Sequence, residues 1–166
     1  MQGSDVLLTF AELGVGLGGF ASIFLALTRR DGRLAPSDAY RVRWMLINSL
    51  GAAGLAVIPV TLHALGIEAP LLWRVASAAH VAMMLAGTLP AAFVQSRRLE
   101  KPERAQISSL VHGFGWAVAA AVFAAQGLNL VGWPASPAAG PYLLSTALML
   151  ILGGVHFIGL LFSRLL

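Results

Sequence analysis

The sequence predicts an all-α integral membrane bundle of five transmembrane helices, and three observations carry that prediction. Hydrophobic residues make up 58% of the 166-residue chain and charged residues only 11%, against roughly 25% charge in ordinary globular domains. The mean hydropathy is +0.80. The few charges are gathered into short clusters, which leaves five runs of about 20 mostly apolar residues, the length a helix needs to cross a bilayer. Those runs are apolar nearly all round rather than along one stripe, as contact with lipid requires.

The first helix is expected over about 6–28, ending at the basic cluster Arg29, Arg30 and Arg33. The second is expected over about 40–65, with Pro36, Ser37 and Asp38 before it as an N-cap. The third, over about 71–95, follows a tight linker at 66–70 that contains Gly66 and Pro70. Pro59 and Pro90 fall inside the second and third helices; each removes a backbone hydrogen bond, which predicts a kink. A charged stretch at 97–104 separates the third helix from a fourth over about 105–128. The last connection, 129–141, holds three prolines and Trp133, as expected of a loop at the membrane interface. The fifth helix is expected over about 142–162.

Orientation follows from the basic residues. Arg29, Arg30, Arg33, Arg41, Arg43, Arg97, Arg98, Lys101, Arg104 and Arg164 fall on one side, and Arg74 alone on the other. The positive-inside rule then places the N-terminus outside and the C-terminus in the cytoplasm. A re-entrant hairpin of the second and third helices would leave three spans, but both segments are long enough to cross. The whole chain, 1–166, reads as one transmembrane domain without internal repeats. Five is odd, so two equal inverted halves are not available within one chain. The expected partners are the lipid bilayer and either further copies of the chain or other membrane subunits.

Composition excludes several functions. The chain has no cysteine, hence no disulfide, thiolate metal site or cysteine nucleophile. The net charge of +4 sits beside the hydrophobic segments, where it sets topology and meets anionic lipid, so nucleic acid is not an expected partner. No positive segment precedes the first helix, which argues against a cleaved signal peptide. Ten of the eleven basic residues are Arg, which with abundant Ala and Gly suggests a GC-rich bacterium and its inner membrane.

Helix one is rich in small residues. Gly14, Gly18 and Ser22 share one face as a helix-packing surface, while Gly16 and Gly19 lie on the side of Glu12. Two smooth faces predict two close neighbours and a central place in the bundle.

Each predicted helix carries one ionisable group within its span: Glu12, His63, His80, His112 and His156. Such groups are costly in lipid and mark functional-site candidates. By helix rise, Glu12 and His80 both lie roughly 5–8 Å outside the midplane, and His112, His156 and Asn48 a similar distance on the cytoplasmic side. His63 and Arg74 fall near the outer interface. This predicts an outer pair, Glu12 with His80, and an inner group of Asn48, His112 and His156. The structural alternative is that each imidazole merely hydrogen-bonds a neighbouring helix.

Three functional classes fit. One is a proton or cation path for transport through Glu12, His80, Asn48, His112 and His156, since imidazoles titrate near neutral pH. Another is a redox protein, with haem b clasped by His112 and His156 or copper held by His80 with Met83 or Met84. The third, favoured here, is a non-enzymatic membrane subunit without a cofactor. Hydrolysis is not expected, because no Ser–His–acid set exists and Glu12 is the one acid within a span.

Gly18-Gly19-Phe20, the pair Arg41 and Arg43 leading into Leu46 and Ser49-Leu50, and Trp73-Arg74 opening helix three together resemble small bacterial inner-membrane proteins. The likeness covers about the first half of the chain. It implies a location and no activity, so no residue role follows from it.

Overall fold

A computed structural model describes residues 3–28, 34–98, 109–133 and 137–165. Helix α1 is Ser4–Thr28, α2 is Pro36–Ala64 and α3 is Leu71–Met83. A π-helical turn, Met84–Thr88, joins α3 to α4, Leu89–Arg98. Helices α5, Ser109–Val131, and α6, Ala139–Leu165, complete the chain. Five segments are long and apolar enough to cross a membrane: Ser4–Ala26, Pro36–Ala64, Leu71–Val94, Ser109–Val131 and Ala139–Phe162. The protein is therefore an all-α, multi-pass membrane protein whose surface meets lipid.

Several helix boundaries differ from the sequence reading, each for a local reason. Helix α2 begins at Pro36 rather than after an N-cap made by Ser37 or Asp38; Ala35 precedes it without a side-chain cap. Proline suits the first helical position, where its missing N–H costs nothing. Asp38 instead turns inward and pairs with Arg41 at 3.2 Å. Helix α5 runs through Asn129 to Val131 and stops at Gly132, whose φ is 75°. The Trp133 and Gly132 N–H groups donate to the Leu128 and Asn129 carbonyls, the paired bonds of a Schellman cap. Gly66 ends α2 in the same way, with φ 80° and the Ile67 and Gly66 N–H groups on the Leu62 and His63 carbonyls. Residues 105–108, where the fourth helix was expected to start, lie outside the described residues, as do Arg29, Arg30, Arg33, Lys101 and Arg104.

The two internal prolines act differently. Pro59 lies within an unbroken α2. It has no N–H for the Leu55 carbonyl four residues back; the Tyr142 hydroxyl on α6 donates to that oxygen at 2.7 Å. Pro90 is accommodated by widening the helix before it. The Leu89 N–H reaches back five residues to the Met84 carbonyl, so the π turn absorbs the proline.

Helices α2 and α6 form the centre. They pack on each other, α1 lies against both, and α3 and α5 close the other side. This corrects the expected central place of α1, about half as buried as α2 or α6 over its apolar window. The reason is one-sided close approach. A Cβ at Gly14 would collide with the Ser49 carbonyl oxygen and lie 2.9 Å from the Ala53 Cβ, and one at Gly18 would lie 2.8 Å from Leu50 Cδ2. Gly16 and Gly19, on the other face, have no atom within 4 Å of such a Cβ. Ser22 is exposed and hydrogen-bonds its own helix, donating to the Gly18 carbonyl at 3.2 Å.

Candidate functional site

Tyr40, Trp44 and Asn48 are spaced four residues apart on α2, so they follow one another along a single face. That face meets α5 and α6 and, with the π turn and α4, borders a half-open cavity of about 70 Å³. Asn48, His112 and His156 all line it, together with Tyr40, Trp44 and Trp116. The remaining walls are largely apolar, from Met84, Val122, Met149 and Leu152 among others. The structure thus brings the three residues of the expected inner group to one space.

Hydrogen bonds define the imidazole of His112. The Trp116 indole Nε1 lies 3.1 Å from His112 Nε2. An indole N–H can only donate, so Nε2 carries a lone pair and the ring proton sits on Nδ1. That Nδ1–H points at the Tyr40 hydroxyl oxygen, 3.4 Å away, and leaves the Tyr40 proton available to another acceptor. His156 is buried edge-on to Tyr40, with ring centroids 6.1 Å apart. Arg41 lies against Gly159, three residues beyond His156, and brings positive charge to this end of the site. The Asn48 amide donates to the Trp44 carbonyl at 2.8 Å. The Trp44 indole is buried edge-on against the Tyr40 ring, with centroids 6.2 Å apart.

The geometry separates what the cavity can hold. A protein cavity of roughly 150 Å³ takes one benzene, and one water needs about 10–15 Å³ of such space. The site therefore fits a handful of waters. Haem b between His112 and His156 does not fit these residues as they are placed, because both His112 nitrogens are engaged, by Tyr40 and by Trp116. The copper set is also divided. Met83 lies against Gly51 of α2, whereas Met84 packs with Val118 and Val122 of α5. Among the described residues, no three His, Asp or Glu side chains gather to hold a metal ion.

The expected outer pair does not form. His80 is fully buried in α3, with its ring 5.7 Å edge-on from that of Tyr142. Glu12 is exposed on α1, and its side chain has no partner among the described residues. The glycine face of α1 seats on α2, which turns Glu12, about 200° around the helix from Gly14, outward. His63 and Arg74 are both exposed near the linker between α2 and α3.

Sequence reasoning missed Tyr40, Trp44, Trp116 and Tyr142 as members of polar sites. The signal existed in part, since Tyr40, Trp44 and Asn48 repeat every four residues and Trp116 follows His112 by four. It also placed Asn129 in a loop. In fact the Asn129 amide nitrogen donates to Ser77 Oγ at 2.9 Å and to the Ala138 carbonyl at 3.1 Å, and its oxygen accepts from the Ala138 N–H at 2.8 Å. Comparison of the chain with protein-family models, curated proteins and solved structures finds no match, so its function has to be argued from these residues alone.

Proposed function

We propose that the chain is a non-enzymatic membrane subunit that docks to another membrane protein through the outer face of α1. In this reading it sits in a bacterial inner membrane with its N-terminus outside. The observation that carries the proposal is Glu12, an exposed carboxylate without a partner among the described residues. It lies eight residues beyond the start of α1 at Ser4, about 12 Å along the helix, well inside the span. Lipid gives a carboxylate no hydrogen bond, and intramembrane acids face a partner or water. Gly16 and Gly19 lie within about 40° of Glu12 on the helix surface. Their open faces form a lane on which a second backbone can approach closely.

The occupant that matches this face is a transmembrane helix offering a cation or hydrogen-bond donor at the depth of Glu12. A symmetric pair of copies would instead bring two carboxylates together, which requires them to share a proton. A photo-crosslinking residue at Gly19 in native membranes tests the docking. It is expected to give one discrete heteromeric adduct, lost in Glu12→Leu and absent when the probe replaces exposed Ile151. An adduct unaffected by Glu12→Leu, a homodimer adduct, or none overturns the proposal.

A second reading, proton transport, is favoured by the cavity that gathers Tyr40, Asn48, His112 and His156. Among the described residues no carboxylate lines that space, and Arg41 is nearby, so a proton suits it better than a metal cation. Proteoliposomes with an internal pH dye test this: His112→Gln and His156→Gln should slow acidification several-fold. Equal rates in all three proteins, or none, would remove transport.

A further inference from the structure

We propose that the junction of α3, α5 and α6 is a buried water site held by His80, Gln126 and Ser145. The site lies about one helical turn from the cavity wall, towards the Gly66 end of the bundle. Each of the three side chains comes from a different helix and each is fully buried. Among the described residues, both ring nitrogens of His80, the Gln126 Oε1 and the Ser145 Oγ have no hydrogen-bond partner.

Register brings them to one level. The bond from Asn129 to Ser77 Oγ fixes α5 against α3. The two helices run antiparallel, so three residues forward from Ser77 to His80 matches three residues back from Asn129 to Gln126. Beyond that level, Met84 packs with Val122 and Val118, and these three residues belong to the cavity wall. On α6, Tyr142 stacks edge-on to His80, and Ser145 follows three residues later on the same face. Gln126 is held in place by its amide nitrogen, which donates to the Pro141 carbonyl at 3.1 Å.

The chemistry of the set selects its ligand. A neutral imidazole offers one donor and one acceptor, the Gln126 oxygen accepts, and the Ser145 hydroxyl does both. These groups complement one another, yet none is within hydrogen-bond reach of another. A cation would find no carboxylate here, and an anion would find too few donors. Water carries two donors and two acceptors and satisfies this mixture; buried waters in proteins serve such groups. One turn further, Asn129 and Ser77 continue the polar column to the backbone of Ala138. The site is independent of the docking face of α1. Transport through the bundle would need it, whereas it would stand without transport.

Water-edited solid-state NMR on the full chain in lipid, with 15N-labelled histidine, tests the proposal on the unaltered protein. The His80 ring, assigned by single replacement of the other three histidines, is expected to receive water polarisation as early as exposed His63. A build-up as slow as that of the buried Leu7 and Val122 methyls overturns the site. Gln126→Leu combined with Ser145→Ala is expected to delay the His80 build-up several-fold while leaving helical circular dichroism unchanged. A folded double variant with undelayed build-up overturns the assignment of these partners.

Discussion

Replacing Gly14 by Ala should loosen the seat of α1 more than any other single methyl added to that helix. The new Cβ would meet the Ser49 carbonyl oxygen and would stand 2.9 Å from the Ala53 Cβ and 3.2 Å from the Ala53 nitrogen. Two of these neighbours are backbone atoms of α2, so no rotamer change relieves the contact. Ordinary packing needs 3.4–4 Å, so α1 must withdraw by about 1 Å, a gap that forfeits a quarter to a half of the dispersion energy along the interface. Overpacking of this kind costs about 1–3 kcal/mol, and the backbone neighbours put Gly14→Ala near the upper end. The better helix propensity of Ala returns up to about 1 kcal/mol. A net loss of about 2 kcal/mol corresponds to an unfolding constant raised roughly 30-fold. The assay is reversible unfolding in mixed micelles by added SDS, followed by helical circular dichroism. Gly16→Ala and Gly19→Ala meet nothing and should match or exceed the parent. Gly18→Ala meets only the exposed Leu50 side chain, which can turn away, rather than backbone, and should cost less than about 1 kcal/mol. A Gly14→Ala protein as stable as the parent would refute the close approach of α1 and α2.

Other outcomes follow from the hydrogen bonds. Tyr142→Phe leaves the Leu55 carbonyl buried without a donor and should cost about 1–3 kcal/mol in the same assay. In a Pro59→Ala background residue 59 regains an N–H for that carbonyl, so the penalty should fall below about 1 kcal/mol; equal penalties in both backgrounds would show that the proline is not what the tyrosine compensates. Asn129→Ala removes three hydrogen bonds that tie α5 to α3 and to Ala138. Exchange of the Ala138 amide, which donates to the Asn129 oxygen, should then accelerate at least tenfold, and unchanged protection would mean that this bond does not hold the amide. Trp116→Phe frees His112 Nε2 from the bond it accepts from the Trp116 indole. The 15N signals of that ring should move towards exchange between tautomers, whereas an unmoved Nδ1–H signal would show that Tyr40 alone fixes the proton.

How far the site could be read in advance differs from residue to residue. Asn48, His112 and His156 were legible as a group because helix rise gives depth, and depth alone brought them to one level. Depth could not say which helices touch. It placed Glu12 beside His80, yet α1 packs on α2 and α6 while His80 lies in α3. The small-residue faces of α1 were equally visible, but a sequence cannot rank two smooth faces when only one meets a partner within the chain. Tyr142 was invisible for another reason: its role depends on a carbonyl that Pro59 orphans on a helix distant in sequence.

The sequence by itself determined that this chain is helical, has five segments long and apolar enough to cross a membrane and carries a few polar groups in them. Those properties depend on the transfer of apolar surface to lipid and on hydrogen bonds within each helix, both of which are local. Only the tertiary structure decided that α2 and α6 are central, that Glu12 faces outward, and that Tyr40, His112 and Trp116 join in one hydrogen-bonded set. Those outcomes depend on which faces of different helices approach most closely, and backbone clearance at positions such as Gly14 sets that choice, not hydrophobicity.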